Sequence, residues 1–188
     1  IHKLHTELST CLNHRINAPR ATVKVDGDGT EWKTSEALFI GSDSPTQTIF
    51  RVSHDNEYLY LLAERQDNML SENATIEMYV RANPKDEGEG TVIFTEINSF
   101  GKFSCSLIDA NGSRMDISGA KGICREAKNA DGDGGYVAEI AIPIKYLGNI
   151  KSGSLIDFNA IVKGDDLNDT FTFATVDEPL TWMKIKLQ

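Results

Sequence analysis

Short alternating segments, each bounded by turn-forming residues, recur along this sequence from residue 21 to its end. Apolar and polar residues alternate in them, as they do in strands that bury one face. No intervening segment has the 3.6-residue period of an amphipathic helix. Such a series favours an antiparallel sandwich or barrel. The predicted strands cover residues 48–53, 57–63, 75–81, 91–97, 102–108, 136–142, 155–163, 170–175 and 183–187.

The first seventeen residues differ from this pattern. Leu4, Leu8 and Leu12 recur at helical spacing, and Pro19 would end a helix. We expect residues 1–17 to form a linker or a short N-terminal helix, and residues 18–188 to form the sandwich domain. Residues 1–15 lack the apolar stretch of a signal peptide. Because the chain does not begin with methionine, earlier removal of an export signal stays open.

The acidic composition restricts the classes of partner. The 188 residues carry a net charge of −9, which argues against nucleic acids and anionic membranes, since both attract basic surfaces. No apolar run has the length needed to span a bilayer. The same composition fits a secreted protein, a calcium binder or a binder of neutral sugars, and it also fits solubility alone.

The three cysteines, Cys11, Cys105 and Cys124, match no zinc-binding spacing. Cys105 and Cys124 could form a disulfide in an oxidising compartment, or they could be two buried thiols. Cys11 would be unpaired in either case.

Motifs of catalysis are missing from the sequence. It has no Gly-x-Ser-x-Gly elbow, no His-Glu-x-x-His and no phosphate-binding glycine loop. Three of the four histidines precede residue 15, which leaves His54 alone in the predicted domain. A pair of carboxylates is uninformative among 28 acidic residues. We therefore predict that the chain is not an enzyme.

Clustered oxygen ligands make calcium the best-supported metal. Asp26 and Asp28 lie on a glycine-rich turn, and Asp165 and Asp166 lie in an aspartate-rich loop. Calcium prefers carboxylate and carbonyl oxygens, so these four residues are the candidate ligands. Asp-Gly pairs are also ordinary turn formers, which is the alternative interpretation.

One predicted strand, residues 75–81, offers a row of polar side chains. If Ile76 and its alternating neighbours face the core, Glu77, Tyr79 and Arg81 share the outer face. A carboxylate, an aromatic ring and a guanidinium in one row suit a sugar, because hydroxyls take hydrogen bonds and a ring stacks on C–H groups. The alternative is a solvated strand face with a Glu–Arg pair. Other residues expected around the same concavity are Asp67, Asn68, Lys163 and Asn168.

The two tryptophans call for different interpretations. Trp32 follows the turn at Asp28 and is expected to plug the end of the sandwich. Trp182 directly precedes the last strand and is either packed at the edge of the core or a sugar platform. We include Trp182 among the candidate carbohydrate-binding residues.

The order of these motifs resembles the family 9 carbohydrate-binding modules and the broader DOMON-like sandwich group. The resemblance covers residues 21–188. The matching segments are Val25-Asp26-Gly27 through Trp32, the strand from Glu57 that leads to Asp67, Ile76-Glu77-Met78, Gly135-Tyr136 through Glu139 to Pro143, and Phe158-Asn159-Ala160 before the aspartate-rich loop.

The resemblance implies a jelly-roll-like β-sandwich, so the predicted fold class is an all-β, antiparallel, jelly-roll-like or immunoglobulin-like sandwich. It also implies a non-catalytic carbohydrate-binding domain, often with structural calcium, attached to a secreted, periplasmic or cell-surface enzyme that degrades glycans. The family's outward glutamate corresponds to Glu77. Its first sugar-stacking tryptophan would fall where this chain has Ser71 and Glu72, and Trp182 lies nearest to the second.

Two other functions stay open at this stage. Some DOMON-like domains bind haem, for which Met69, Met78 or Met115 could supply sulfur and His54 or a lysine could supply nitrogen. The other alternative is a docking domain without a small ligand, in which the N-terminal segment forms part of an interface.

Overall fold

The computed structural model describes residues 15–41, 47–66, 70–82, 91–128, 134–148, 150–164, 168–171 and 181–188. The strands in these ranges are β1 (Arg15–Ala18), β2 (Leu38–Ile40), β3 (Thr48–His54), β4 (Tyr58–Arg65), β5 (Thr75–Ala82), β6 (Val92–Asn98), β7 (Phe103–Ile108), β8 (Arg114–Asp116), β9 (Lys121–Lys128), β10 (Gly134–Pro143), β11 (Leu155–Lys163), β12 (Asn168–Thr170) and β13 (Met183–Leu187). Two short 3₁₀ helices cover Gly29–Trp32 and Ile144–Tyr146.

These strands form two sheets. The larger sheet has the order β1-β13-β11-β5-β6-β7-β8, with β12 paired to β11. The smaller sheet has the order β2-β3-β4-β10-β9. All neighbours are antiparallel except β1 and β13, which run parallel. The predicted all-β sandwich is therefore confirmed, with one parallel pair at an edge.

The core lies between the sheets and follows from the period of two residues in each strand. In β5, Ile76, Met78 and Val80 are completely buried in the main hydrophobic cluster. Their partners on β11 belong to the same cluster, because residues in register point to the same side of the sheet. The alternate residues of β5 and β11 therefore lie on the opposite side, which we call the outer face of the larger sheet.

The predicted strand limits agree best with the structure where one face of the strand is buried. Strands β11 and β13 have the predicted limits, and β5 is longer by one residue. Four strands are missing from the prediction: β1, β2, β8 and β9. All four lie at the edges of their sheets, where fewer side chains must be buried and the apolar alternation is weaker.

The predicted boundary of the domain needs a correction. Arg15–Ala18 forms β1 and pairs with β13, so residues 15–17 belong to the sandwich and not to a linker or helix. Ile16 and Ala18 are buried in the main core, which explains why this short segment is held. The rest of the predicted N-terminal segment, residues 1–14, lies outside the described residues.

Cys105 and Cys124 are free thiols in this structure. Cys105 belongs to the main hydrophobic cluster, and Cys124 packs against it. Burial raises the pKa of each thiol to about 12, so both are expected to remain protonated and unreactive. Among the described residues no helix is long and apolar enough to cross a membrane.

Candidate functional site

The outer face of the larger sheet carries polar residues that are nevertheless buried. Glu77, Tyr79 and Arg81 of β5 all lie there and are less than a tenth exposed. The neighbouring outer-face residues of β11, Asp157 and Asn159, are completely buried. The predicted sharing of one face by Glu77, Tyr79 and Arg81 is confirmed, but the face is covered and is not a simple solvated strand surface.

Asp157 holds two cations at the centre of this face. Arg81 donates from both Nε (3.0 Å) and a terminal nitrogen (2.6 Å) to one carboxylate oxygen. Lys184 of β13 donates to the other oxygen at 2.5 Å. Strands β5 and β13 flank β11 on either side, so the register alone brings the three side chains together. Two positive charges on one carboxylate leave this group with a net positive charge.

Glu77 forms a second polar group nearer the end of β5 at Thr75. Tyr79 donates its hydroxyl to Glu77 Oε2 at 2.9 Å, and Lys163 of β11 donates to Oε1. Burial, followed by this hydrogen bond, raises the pKa of the Tyr79 hydroxyl well above its usual value. The Lys163 side chain is 35% exposed, whereas that of Glu77 is 8% exposed. Glu77 is therefore separated from solvent by a lysine side chain that is itself partly exposed.

Aromatic rings fill the space beside these groups. Tyr79 contacts Phe94 and Trp182, with ring centroids 5.2 and 5.8 Å apart, and the three form a separate buried cluster. The Arg114 guanidinium lies over Phe94 at 4.5 Å. Trp182 is only 3% exposed. Of its two predicted placements, the structure therefore supports packing and not an exposed sugar platform.

Asn159 lies between these two polar groups. Its Oδ1 accepts from Thr170 and from the Ala160 backbone. Among the described residues its buried Nδ2 has no hydrogen-bond partner. The predicted residue Asn168 is exposed on β12, opposite Lys163. Four other predicted site residues, Asp67, Asn68, Asp165 and Asp166, lie outside the described residues.

Arg65, which the sequence analysis did not single out, supports Lys163 from between the sheets. It is 2% exposed, and its guanidinium donates to the Lys163 carbonyl (2.5 Å) and the Tyr136 hydroxyl (3.0 Å). A Cβ at Gly135 would lie 2.5 Å from the Arg65 carbonyl oxygen, so glycine is required there. Arg65 continues the inward alternation of β4 after Ala63, and this was the available signal.

The turn at Asp26 and Gly27 contacts strand β10 of the smaller sheet at Glu139. Its carboxylate accepts from the Trp32 indole at 2.8 Å and from the backbone N–H groups of Asp26 and Gly27 at 2.9 and 2.7 Å. Trp32 is 1% exposed, so its predicted packing is confirmed, but it packs with Tyr60 and Val137 on the outer face of the smaller sheet and not at the end of the sandwich. Sequence reasoning missed the role of Glu139, although its core neighbours Ala138 and Ile140 already placed it on the outer face.

The carboxylates of Asp26 and Asp28 make local contacts. Asp26 accepts from the Asp28 N–H and pairs with Lys24, and Asp28 caps the 3₁₀ helix by accepting from the Thr30 N–H. Among the described residues no three His, Cys, Asp or Glu side chains are grouped to hold a metal ion. Calcium binding stays a prediction, and its other two candidate ligands lie outside these residues.

The haem candidates lie in different environments in the described part of the chain. His54 is buried and its Nε2 lies 2.9 Å from the Gln188 carbonyl oxygen. Met78 is completely buried in the main core, and Met115 is exposed on β8. Met69 lies outside the described residues. None of these contacts favours an axial pair.

Comparisons with known proteins bear on the fold. No protein-family model and no curated protein matches the chain. Among solved structures, it is similar to a family 9 carbohydrate-binding module from Caldicellulosiruptor kristjanssonii in complex with glucose, with a TM-score of 0.68 and 17% identity over 93% of this chain and 95% of that one. It is also similar to a complex of such a module with cellotriose, with a TM-score of 0.68 and 18% identity. A putative carbohydrate-binding protein from Bacteroides uniformis gives 0.63 and 14%, covering 93% and 99% of the two chains. This chain therefore has the β-sandwich fold of the family 9 carbohydrate-binding modules.

Proposed function

We propose that this chain is a non-catalytic carbohydrate-binding domain and that its site lies on the outer face of the larger sheet, at the end that holds Glu77 and Lys163. The fold is shared with modules solved in complex with glucose and cellotriose. Likeness of fold supports the class of function, and the site must be argued from this chain's own side chains.

The Glu77–Lys163 pair is the observation that carries the proposal. A sugar hydroxyl both donates and accepts, so it can replace each partner of an ion pair with one hydrogen bond to the carboxylate and one from the ammonium. Lys163 is partly exposed and has a long flexible stem, which makes exchange with a ligand inexpensive. The neighbouring residue in register, Thr75, adds a hydroxyl to the same end of the face.

Stacking on Tyr79 or Trp182 is not part of this proposal. Both rings are buried in one cluster with Phe94. Direct contact with a sugar would require the aromatic cluster to open. The polar end of the face needs no such change.

Titration calorimetry against soluble oligosaccharides, preceded by a glycan array, tests the proposal. Glu77→Gln removes the charge but keeps the size of the side chain, and we expect it to weaken binding roughly ten- to a hundredfold, the value of a hydrogen bond to a charged group. Glu126→Gln, an exposed change on β9, is the matched control and is expected to bind normally. Absence of binding to any oligo- or polysaccharide would exclude this function.

The wider setting is a further part of the proposal. We infer an exported chain that accompanies a glycan-degrading domain and carries calcium in its aspartate-rich loop. Melting temperatures measured with calcium and with chelator test the calcium part, which predicts a higher value with calcium. Equal values would remove it. The full-length gene product tests the association with an enzyme.

A further inference from the structure

The proposed site has polar groups but lacks an open aromatic surface on the sheet itself. Sugars present C–H groups as well as hydroxyls, and aromatic rings that accept them must be exposed. In the described part of the chain, Phe39 and Phe100 are the aromatic residues classed as exposed, at 61% and 62%. Phe39 lies on β2 of the smaller sheet, whereas Phe100 lies in the turn between β6 and β7 of the larger sheet.

The turn that carries Phe100 is joined to the start of β5. The Ser99 N–H donates to the Ala74 carbonyl at 3.0 Å, and the Ser99 hydroxyl donates to the Ser71 carbonyl at 2.8 Å. Thr75 pairs with Asn98 on one side and with Lys163 on the other. Glu77 lies two residues farther along β5, roughly 7 Å by strand rise. Phe100 and the Glu77–Lys163 pair thus occupy the same end of the sheet.

This turn is also held in one conformation. Asn98 Oδ1 accepts from the backbone N–H groups of Phe100 (3.1 Å) and Lys102 (2.8 Å). Gly101 completes the turn with φ of 82°, a value that favours glycine, and its N–H donates to the Asn98 carbonyl at 2.9 Å. An exposed ring on a fixed turn loses little conformational freedom when a ligand binds.

We propose that Phe100 is the stacking residue of the saccharide site and that its exposed ring packs on the C–H face of one sugar ring. One ring packs on Phe100 while the hydroxyls of the same or the next ring bond to Glu77 and Lys163. This inference rests on the proposed function. It adds the apolar half of the site.

Phe39 provides a matched control for the test. Phe100→Ala and Phe39→Ala remove the same side chain at nearly equal exposure from different sheets. With the oligosaccharide that binds the wild-type chain most tightly, we expect Phe100→Ala to bind about tenfold more weakly, as for loss of one aromatic contact. Phe39→Ala is expected to bind as the wild type does. Both variants should keep the wild-type melting temperature, because neither ring is buried.

A second variant gives a direct readout of contact. Phe100→Trp places an exposed indole in the turn, and its fluorescence should shift to shorter wavelength when saccharide binds, because Trp32 and Trp182 are already buried. Equal affinities of Phe100→Ala and Phe39→Ala, without a shift, would overturn the role of Phe100 while leaving saccharide binding intact. Failure of the wild-type chain to bind any saccharide would overturn both proposals together.

Discussion

Both outer faces of the sandwich bury acidic residues, but the carboxylates of Glu139 and Glu77 receive their hydrogen bonds from different kinds of donor. On the smaller sheet, Glu139 receives hydrogen bonds from the Trp32 indole and from two backbone N–H groups of the turn at Asp26. On the larger sheet, Glu77 is held by Tyr79 and by a lysine that is 35% exposed. The first set of donors is fixed by the fold, whereas the second includes the partly exposed side chain of Lys163.

This difference separates structural from exchangeable polar contacts. The donors to Glu139 are backbone groups and a packed indole, which cannot leave the carboxylate to make room for a ligand unless the turn rearranges. A carboxylate bound by a partly exposed ammonium can trade that partner for a hydroxyl without disturbing the sheet. The comparison therefore supports the proposal that the Glu77 end of the larger sheet binds a ligand, while the outer face of the smaller sheet serves stability.

The largest expected effect is a loss of stability on substitution of Asp157, whose ion pairs hold the outer face of the larger sheet together. Asp157→Asn would leave Arg81 and Lys184 without their shared anion, and Arg81 is 7% exposed. Breaking a buried ion pair in this way costs about 3–5 kcal/mol, to be measured by chemical denaturation. Lys184→Met, at a side chain 23% exposed, should cost much less. A cost below about 1 kcal/mol for Asp157→Asn would mean that water reaches Arg81 readily, so that the whole face is open.

Glu139→Gln tests the closed side of the comparison. The amide keeps one acceptor but turns a donor toward groups that are themselves donors. The expected loss is about 1–3 kcal/mol in the free energy of unfolding, the cost of leaving a buried donor unsatisfied. Saccharide affinity should be unchanged. Weaker binding in a variant that is still folded would contradict the assignment of this face to stability alone.

Glu77→Gln tests the exchangeable side. Because Lys163 is partly exposed, loss of the ion pair should change the free energy of unfolding by less than about 1 kcal/mol, while the affinity for saccharide falls. The measurements are denaturation and calorimetry on the same sample. A large loss of stability together with unchanged affinity would make Glu77 the equivalent of Glu139 and would remove the distinction between the faces.

The sequence predicts the fold best where one strand face must be buried. The limits of β5, β11 and β13 could be predicted because their apolar residues alternate with polar ones. Strand β9 was missed because Lys121–Lys128 lies at the edge of the smaller sheet and pairs only with β10. Edge strands bury fewer side chains, so apolar and polar residues alternate less clearly in their sequences.

The site was predicted along β5 and at Lys163, which was expected around the same concavity and pairs with Glu77. Glu77, Tyr79 and Arg81 follow from the period of two within β5. Their partners Asp157 and Lys184 do not, because they come from strands far away in the chain, and the sheet order decides which side chains meet. The burial of Trp182 was equally hidden, since it depends on Phe94 and Tyr79 lying opposite each other in the register of β5 and β6.

The smallest expected effect is the pH dependence of stability that Glu139 causes. It reports how completely the outer face of the smaller sheet excludes water at this residue. Burial raises the pKa of this carboxyl above 4.5, although hydrogen bonds from Trp32, Gly27 and Asp26 lower it in part. A raised pKa in the folded chain means that proton uptake favours folding. The stabilising contribution of Glu139 is therefore complete below the ordinary pKa of a glutamate, and it is lost as the pH rises through the raised pKa of Glu139. The stability margin of wild type over Glu139→Gln should accordingly grow between pH 7 and about pH 4.5, as followed by denaturation at several pH values. A margin that shrinks on acidification would show that the three donors outweigh burial, and the turn over Glu139 would then be holding a fully charged carboxylate.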